Sequence, residues 1–329
     1  MKRKIAIVCG GDSSEFEVSL HSADGLESFF DKERYDVYRV VMRGMKWQVS
    51  LPQGDVDIDK EDFSFVQGSQ RVKFDYAYIT IHGTPGENGL IQSYFEMVHV
   101  PYSTCNVLVE ALTFDKYTFN NYLRGQGVRV ADSVRLFRDE PRPCTNEEIV
   151  ERLGLPCFVK PTADGSSFGV SKVKTLEELE PALEKAYQQS NEVMVERYMH
   201  GVELAQGCYK TRKSSVVLPA TEVVSENEFF DYDAKYNGQV DEITPARISE
   251  ETAREVARMT SQMYDLLHAN GIIRVDYIVT KDDAGRDVVN VLELNTTPGM
   301  TATSFIPQQV RAAGLNMTDV LTEIVENQF

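Results

Sequence analysis

The sequence lacks the marks of several whole classes of protein. No two of its five cysteines (Cys9, Cys105, Cys144, Cys157 and Cys208) stand at zinc or redox spacing. Scattered and odd in number, they are expected to be buried free thiols in a reducing compartment. No stretch is long and apolar enough to span a bilayer. The opening run Met1 to Gly10 has the basic start of a signal peptide. Its apolar part is too short, and it ends in Gly-Gly-Asp-Ser-Ser-Glu, so a soluble cytoplasmic chain is expected. Basic residues are scarce: 34 Lys and Arg face 51 Asp and Glu, a net charge of −17. That balance weighs against nucleic acid or an anionic membrane as main partner. It also means that any anionic ligand must be met by a local basic pocket. Repeats and low-complexity segments are absent. So are the full dinucleotide glycine fingerprint after Gly10-Gly11 and the Gly-Lys-Ser/Thr ending of a P-loop, which removes two common nucleotide folds.

What is present is an ordinary globular balance, 42% hydrophobic and 26% charged over 329 residues, enough for two or three domains. Near the C-terminus, Ile272 to Val279 and Val291 to Asn295 both read as strands, with turn chemistry between them from Lys281 to Asp287. A turn centred on Asp283 to Gly285 sets Ile278 against Val291, Asp276 against Glu293 and Arg274 against Asn295. All six then share one face. Like charges directly opposite destabilise a sheet, so Asp276 and Glu293 call for a cation between them. With the Asn295 amide oxygen they make an all-oxygen cluster that suits Mg²⁺ better than zinc. The alternative is an exposed polar face in which Arg274 pairs the acids.

Taken in order, the chain starts with a strand, Lys4 to Val8, then a helix capped by Ser13 or Ser14. Strands at Tyr35 to Met42 and Tyr76 to Ile81 follow, which suggests a small parallel sheet. Ligands of open α/β sheets lie beyond the carboxyl ends of the strands. Glu15 and His82 sit there, as site residues or as a helix cap and a loop-ordering donor. Leu90 to His99 reads as a helix and Val100 to Cys105 as a strand. Thr113 is expected to cap a helix carrying Asp115, Lys116 and Tyr117. Thr145 to Glu148 and Thr175 to Glu178 both read as capping boxes. Between them the strand Leu155 to Pro161 ends with Lys160 beside a glycine-serine loop, Asp164 to Val170. That loop is either an anion nest of backbone N–H groups or a flexible hairpin turn. Glu196 and Glu203 flank a turn between two strands, as ligands of an adenine edge and ribose or as solvated charges. The segment from Ser225 to Ile243 is aperiodic and aromatic, the composition of a lid. Glu250 to Asn270 is a long helix whose Val256, Met259, Met263, Leu266 and Leu267 face the core. Thr296 to Met300 turns sharply.

Eight runs in order carry a resemblance across nearly the whole chain. They are Gly10-Gly-Asp-Ser-Ser-Glu-Phe-Glu-Val-Ser19, His82-Gly-Thr-Pro-Gly-Glu-Asn-Gly89, Phe114-Asp-Lys116, Val159-Lys-Pro161, Gly165-Ser-Ser-Phe-Gly169, Tyr232-Asp-Ala-Lys-Tyr236, Arg274-Val-Asp276 and Glu293-Leu-Asn-Thr-Thr-Pro-Gly-Met-Thr301. Together they resemble the ATP-grasp ligases and, within them, the D-alanine–D-alanine ligases. Phe114, Ile273 and the pair Arg197-Tyr198 depart from the family's usual residues, and Arg129 to Pro143 does not look typical of it.

The resemblance implies an α+β/α/β fold of three domains: an N-terminal Rossmann-like domain (1–105), a central ATP-grasp subdomain (106–200) and a C-terminal one (201–329) with metal site and lid. It implies ligation of two D-alanines with ATP, through an acylphosphate, for peptidoglycan precursors. In that reading Lys116, Lys160, Gly165, Ser167 and Lys235 meet the phosphates, and Glu196 and Glu203 the nucleoside. Asp276, Glu293 and Asn295 hold two Mg²⁺ (or Mn²⁺). Arg274 and the Gly299 N–H form an oxyanion hole. Glu15 holds the first substrate's ammonium, linked to Ser166 and Tyr236. His82 belongs to the substrate site, and Ser304 and Phe305 to the second carboxylate. Tyrosine rather than phenylalanine at position 236 implies an amine nucleophile, so Tyr236→Phe is expected to favour ester with D-lactate. Other readings are a ligase for D-serine or D-lactate, or a non-catalytic ATP-binding module. Dimers are usual in the family, but no residue singled out here shows one.

Overall fold

In a computed structural model, residues 2–163, 169–225 and 240–329 are described. Gly165, Ser166, Ser167, Lys235 and Tyr236, and with them most of the expected lid, lie outside the described residues.

Three main sheets, the first mixed and the other two antiparallel, and a small two-stranded ribbon of Ser64–Gln67 and Gln70–Lys73 combine with helices in an α+β architecture. The first runs in the order Val56–Asp57, Lys46–Val49, Tyr35–Arg43, Arg3–Gly10, Tyr76–Ile79. Arg3–Gly10 is its middle strand and pairs in parallel on both sides. Its run of Ile5 to Cys9 is wholly buried, as a strand covered on both faces requires. The short strands between Lys46 and Lys73 were not anticipated. Val100 to Cys105 is not a strand: Tyr102 makes an isolated bridge to Ala77. The helix Phe16–Phe29 starts later than expected, with Glu15 at its cap position. Ser13 turns the chain instead, its hydroxyl donating to the His82 carbonyl at 2.7 Å.

The second sheet is antiparallel, in the order Ser171–Val173, Cys157–Pro161, Glu192–Arg197, Ser133–Phe137. Its last strand falls in the segment that the sequence left without a role. The helix Asn146–Leu153 carries the expected capping box, with Thr145 and Glu148 bonded reciprocally. Thr175 forms no such box. A 3₁₀ turn over Leu176–Glu178 precedes the helix Leu179–Tyr187, and Glu178 reaches back to the Lys174 N–H instead.

The third sheet runs Val240–Ile243, Thr221–Ser225, Val202–Lys210, Ile272–Lys281, Asp287–Asn295, with Ser215–Val217 on the edge of Val202–Lys210. The helix Glu250–Leu266 packs on it through Val256, Met259 and Met263. Two helices ahead of the second sheet share this core rather than that sheet's. Val107–Phe114 and Lys116–Gly125 bring Val109, Phe119 and Leu123 against Ile273, Val275 and Leu294. Thr113 is not a cap but lies in the last turn of the first of them, its hydroxyl bonded to the Val109 carbonyl. Asp115 caps the second by accepting from the Thr118 N–H at 2.6 Å. The C-terminal helix Met317–Glu326 returns to the first sheet, placing Val320, Leu321 and Ile324 with Ile5, Ile7 and Tyr76 in one core.

Candidate active site

A cleft of about 780 Å³ opens where the three sheets meet. It falls in the size range of small-molecule sites. The hairpin Ile272–Lys281 and Asp287–Asn295 forms its floor. Arg274 pairs with Asn295 and Asp276 with Glu293, as expected, but a bulge follows Asp276. Tyr277 therefore meets Val291, and Ile278 meets Asn290. Val291 turns into the core, and Leu292, the extra residue, lines the cleft beside Ile278 and Glu293. The pairing expected for Ile278 and Val291 is thus wrong, because one inserted residue flips every side chain beyond it.

The charged side chains here are neutralised in pairs. Arg274 makes a two-pronged bond to Asp276, Nε to Oδ1 at 2.8 Å and a terminal nitrogen to Oδ2 at 2.7 Å. Burial works against the Arg274 charge, but Asp276 outweighs it and keeps the guanidinium protonated. The Asn295 amide nitrogen donates to Asp276 Oδ2 at 3.0 Å. Lys116 stands 3.8 Å from Glu293, and Lys160 lies 2.5 Å from Glu196. Glu196 also accepts from Asn120 at 3.1 Å and is buried, so it orients Lys160 as well as lining the cleft. Three cations and five carboxyl or amide groups thus hold one another in a site rich in both signs.

Asp276, Glu293 and Asn295 were tested as a metal site by their chemistry. Among the described residues no group of three or more His, Cys, Asp or Glu side chains could hold an ion. Two acids and an amide nevertheless fit Mg²⁺ bound with a nucleotide. That ion takes one or two carboxylates from the protein and completes its shell with phosphate and water. The pairing of Asp276 with Arg274 is the alternative the sequence left open. It occupies one acid with a cation without removing its oxygens from the cleft.

The N-terminal domain supplies one end. Glu15 holds the cap position without closing a side-chain cap bond, and its carboxyl lines the cleft. His82 is buried beside it, its Nε2 3.3 Å from Ser22 Oγ. That hydroxyl also receives the Met300 N–H at 3.4 Å, so Ser22 ties the histidine to the turn that carries Gly299. A Cβ at Gly299 would lie 2.9 Å from Ser304 Oγ, close enough that this hydroxyl would have to shift. Ser304 accepts from the Thr301 N–H at 3.1 Å and precedes the helix Phe305–Ala312, whose N-terminus borders the cleft. Phe305 stacks under Arg274 at 5.1 Å. At the other end Glu203, Tyr198, Met199, Phe158, Leu292 and Ile278 form a slot with apolar walls.

Among the residues that shape the cleft and escaped the sequence reading are Ser22 behind it and Leu292 and Glu87 in its wall. Ser22 and Leu292 gave no signal, since a helical serine and a strand leucine are commonplace. Glu87 lay inside a quoted run but received no role. It lines the cleft and accepts from the Gly83 N–H at 2.7 Å. Burial, then the Glu15 charge, pushes its carboxyl up to about 8.

Known proteins match this chain along its length. Residues 4–105 match the family model for the D-ala D-ala ligase N-terminus, and residues 123–326 that for the C-terminus. A D-alanine–D-alanine ligase of Phocaeicola vulgatus is 59% identical over 100% of both chains. Among solved structures, a D-Ala:D-Ser ligase of Enterococcus faecalis superposes with a TM-score of 0.85 at 28% identity, over 100% of both chains. A D-alanine–D-alanine ligase of Bacillus anthracis complexed with ATP does so at 0.77 and 26%, covering 99% of this chain and 97% of that one. The fold is therefore the ATP-grasp ligase fold, and with both halves matched this chain belongs to the D-alanine–D-alanine ligase family.

Proposed function

We propose that the chain joins two D-alanine molecules, with ATP converted to ADP and phosphate, and so supplies a peptidoglycan precursor. The observation that carries this reading is the meeting of Lys116, Lys160, Arg274, Asp276 and Glu293 in one cleft of a family member. A carboxylate is a poor acyl donor, being negative and without a leaving group. Transfer of the γ-phosphoryl group to the first D-alanine gives an acylphosphate and removes both obstacles. The second D-alanine, its ammonium deprotonated, then attacks the acyl carbon, and phosphate leaves from the tetrahedral intermediate.

Lys116 and Lys160 meet the nucleotide's phosphates, exchanging Glu293 and Glu196 for them, with Gly165, Ser167 and Lys235 as further phosphate ligands. Glu203 and the apolar slot around Leu292 take the nucleoside. Asp276, Glu293 and Asn295 hold two Mg²⁺ (or Mn²⁺), which when bound spread the charge of the transferring phosphoryl group. Arg274 and the Gly299 N–H stabilise the oxyanion, a donor role whose loss costs about 3–4 kcal/mol. Glu15 receives the first ammonium, with Ser166 and Tyr236 extending it towards the second substrate and His82 beside it. Ser304 and the helix N-terminus at Phe305 receive the second carboxylate. All five cysteines are free, which suits the reducing cytoplasm where ATP is at hand.

The likeness to a D-Ala:D-Ser ligase shows that the fold does not choose the acceptor, so the acceptor is tested directly. Phosphate release is measured with Mg-ATP and D-alanine, L-alanine, D-serine or D-lactate in turn. D-alanine alone is expected to drive release, with one dipeptide per phosphate. Faster release with D-alanine plus D-serine or D-lactate than with D-alanine alone overturns the assignment, and nucleotide binding without release makes the chain a binding module.

A further inference from the structure

Glu110 lies on the helix Val107–Phe114 with none of its surface exposed. Among the described residues no lysine, arginine or histidine forms an ion pair with it, and none is among the main influences on its charge. Burying a carboxyl without a cation is costly, and an apolar side chain would fill this position at no such cost. Its hydrogen bonds give the reason. Oε2 accepts from Thr296 Oγ1 at 2.6 Å. The Thr104 hydroxyl and the Cys105 N–H lie close enough to act on the carboxyl, but neither closes a well-formed bond to Oε1, which is left unpaired. Thr104 Oγ1 in turn receives Gln92 Nε2 at 2.9 Å, and the same nitrogen donates to the Gly86 carbonyl at 2.6 Å. Gln92 and Thr104 are buried as well. Buried polar groups thus lead from the His82–Gly89 run through Gln92, Thr104 and Glu110 to Thr296, bonded at every step except the approach of Thr104 to Glu110.

Thr296 opens the turn that carries Gly299. Residues 296–301 have no helix or strand hydrogen bonds to hold them. The turn is pinned at Thr296 by Glu110 and at Met300 by Ser22. Gly299 lies between the two pins.

We propose that Glu110 is a positioning residue for acyl transfer: by holding Thr296 it fixes the turn that aims the Gly299 N–H at the reacting carbonyl. This rests on the role given above to Gly299. Glu110 itself touches no substrate. Burial first, then the charge of Glu87, raises its carboxyl well above the usual range, and a glutamine, which keeps an oxygen to accept from Thr296, can replace it.

The test compares Glu110→Gln, Glu110→Ala and Thr296→Val in the full chain, measuring dipeptide formation and thermal melting for each. Glu110→Ala and Thr296→Val are expected to lower kcat roughly 10- to 100-fold, the scale of a misplacement near 1 Å. KM for ATP should stay within about twofold, because the nucleotide's contacts are untouched. Glu110→Gln should restore kcat to within about threefold of the parent, since its amide oxygen still accepts from Thr296. Where Glu110→Ala does not fold, Thr296→Val, which removes one hydroxyl at constant volume, carries the same expectation. A folded Thr296→Val or Glu110→Ala with parental kcat overturns the proposal, and so does a glutamine variant no better than alanine. A parent chain that makes no dipeptide refutes the proposed reaction instead, so the two failures are told apart.

Discussion

Glu87 accepts a hydrogen bond from the Gly83 N–H and faces the charge of Glu15, and burial raises it to about 8. An unfolded glutamate titrates near 4.3. Between those values the folded chain binds a proton that the unfolded chain has released, so stability falls as pH rises from about 4.5 to 8. Glu87→Gln removes that slope. Its thermal advantage over the parent should grow across that interval, by roughly 1–2 °C for each kcal/mol recovered in a chain of this length, and level off above pH 8. A difference that stays flat from pH 5 to 8 contradicts the raised value. The same scale shows what a sequence reveals of a site. Glu15, Arg274, Asp276 and Glu293 were legible because charged residues at strand ends and on one strand face need an explanation. Ser22 and Glu110 were not, because each is bonded to a residue distant in sequence, and Leu292 was not, because a strand leucine is commonplace. Glu196 was legible as a cleft residue, but its bond to Lys160 is a cross-strand contact that no local pattern announces.

Among the elements, helix ends were read well where the cap was local and poorly where tertiary contacts decided. The box at Thr145 formed because both its bonds lie within four residues. Thr175 to Glu178 has the same pattern but starts as a 3₁₀ turn, and Leu179, fully buried, begins the helix proper. Thr145→Ala should cost about 1 kcal/mol, read as a lower denaturant midpoint, whereas Thr175→Ala should cost much less. Equal losses would mean that the observed caps do not explain the difference. The hairpin of Ile272–Lys281 and Asp287–Asn295 shows the limit of pattern reading for strands. Its register was right from the cleft end as far as Asp276 and wrong beyond it, because the bulge at Leu292 leaves the alternation of side-chain types almost unchanged. The strand Ser133–Phe137 was missed altogether. Its burial alternates from Val134 to Phe137, but an apolar Phe137 on the partly covered face and a length of five residues leave the sequence pattern weak.

The whole molecule is tied together by its last helix. Leu321 is fully buried among residues of the first sheet and of the third, so one core joins the beginning and the end of the chain. The helix Phe16–Phe29 meets the Gly299 turn from the same side. A Cβ at Gly25 would lie 2.1 Å from the Met300 carbonyl oxygen, so only glycine allows that approach. Leu321→Ala should cost roughly 2–5 kcal/mol and, by loosening this seat, should lower the melting temperature of the first and third sheets together. Separate transitions, with only the C-terminal one shifted, would contradict a shared core. Contacts between the two ends of a chain are set by topology, which is why length and the family resemblance suggested separate domains while no local pattern announced their common core.

The central claim is that Asp276 and Glu293 hold the divalent ions under which ATP activates a carboxylate. The most direct measurement is dipeptide formation by the double variant Asp276→Asn, Glu293→Gln at saturating Mg-ATP and D-alanine, with folding checked by melting. Loss of several kcal/mol of charge stabilisation predicts a rate about 10²- to 10⁴-fold below the parent. A folded double variant that makes dipeptide at the parental rate would contradict the account.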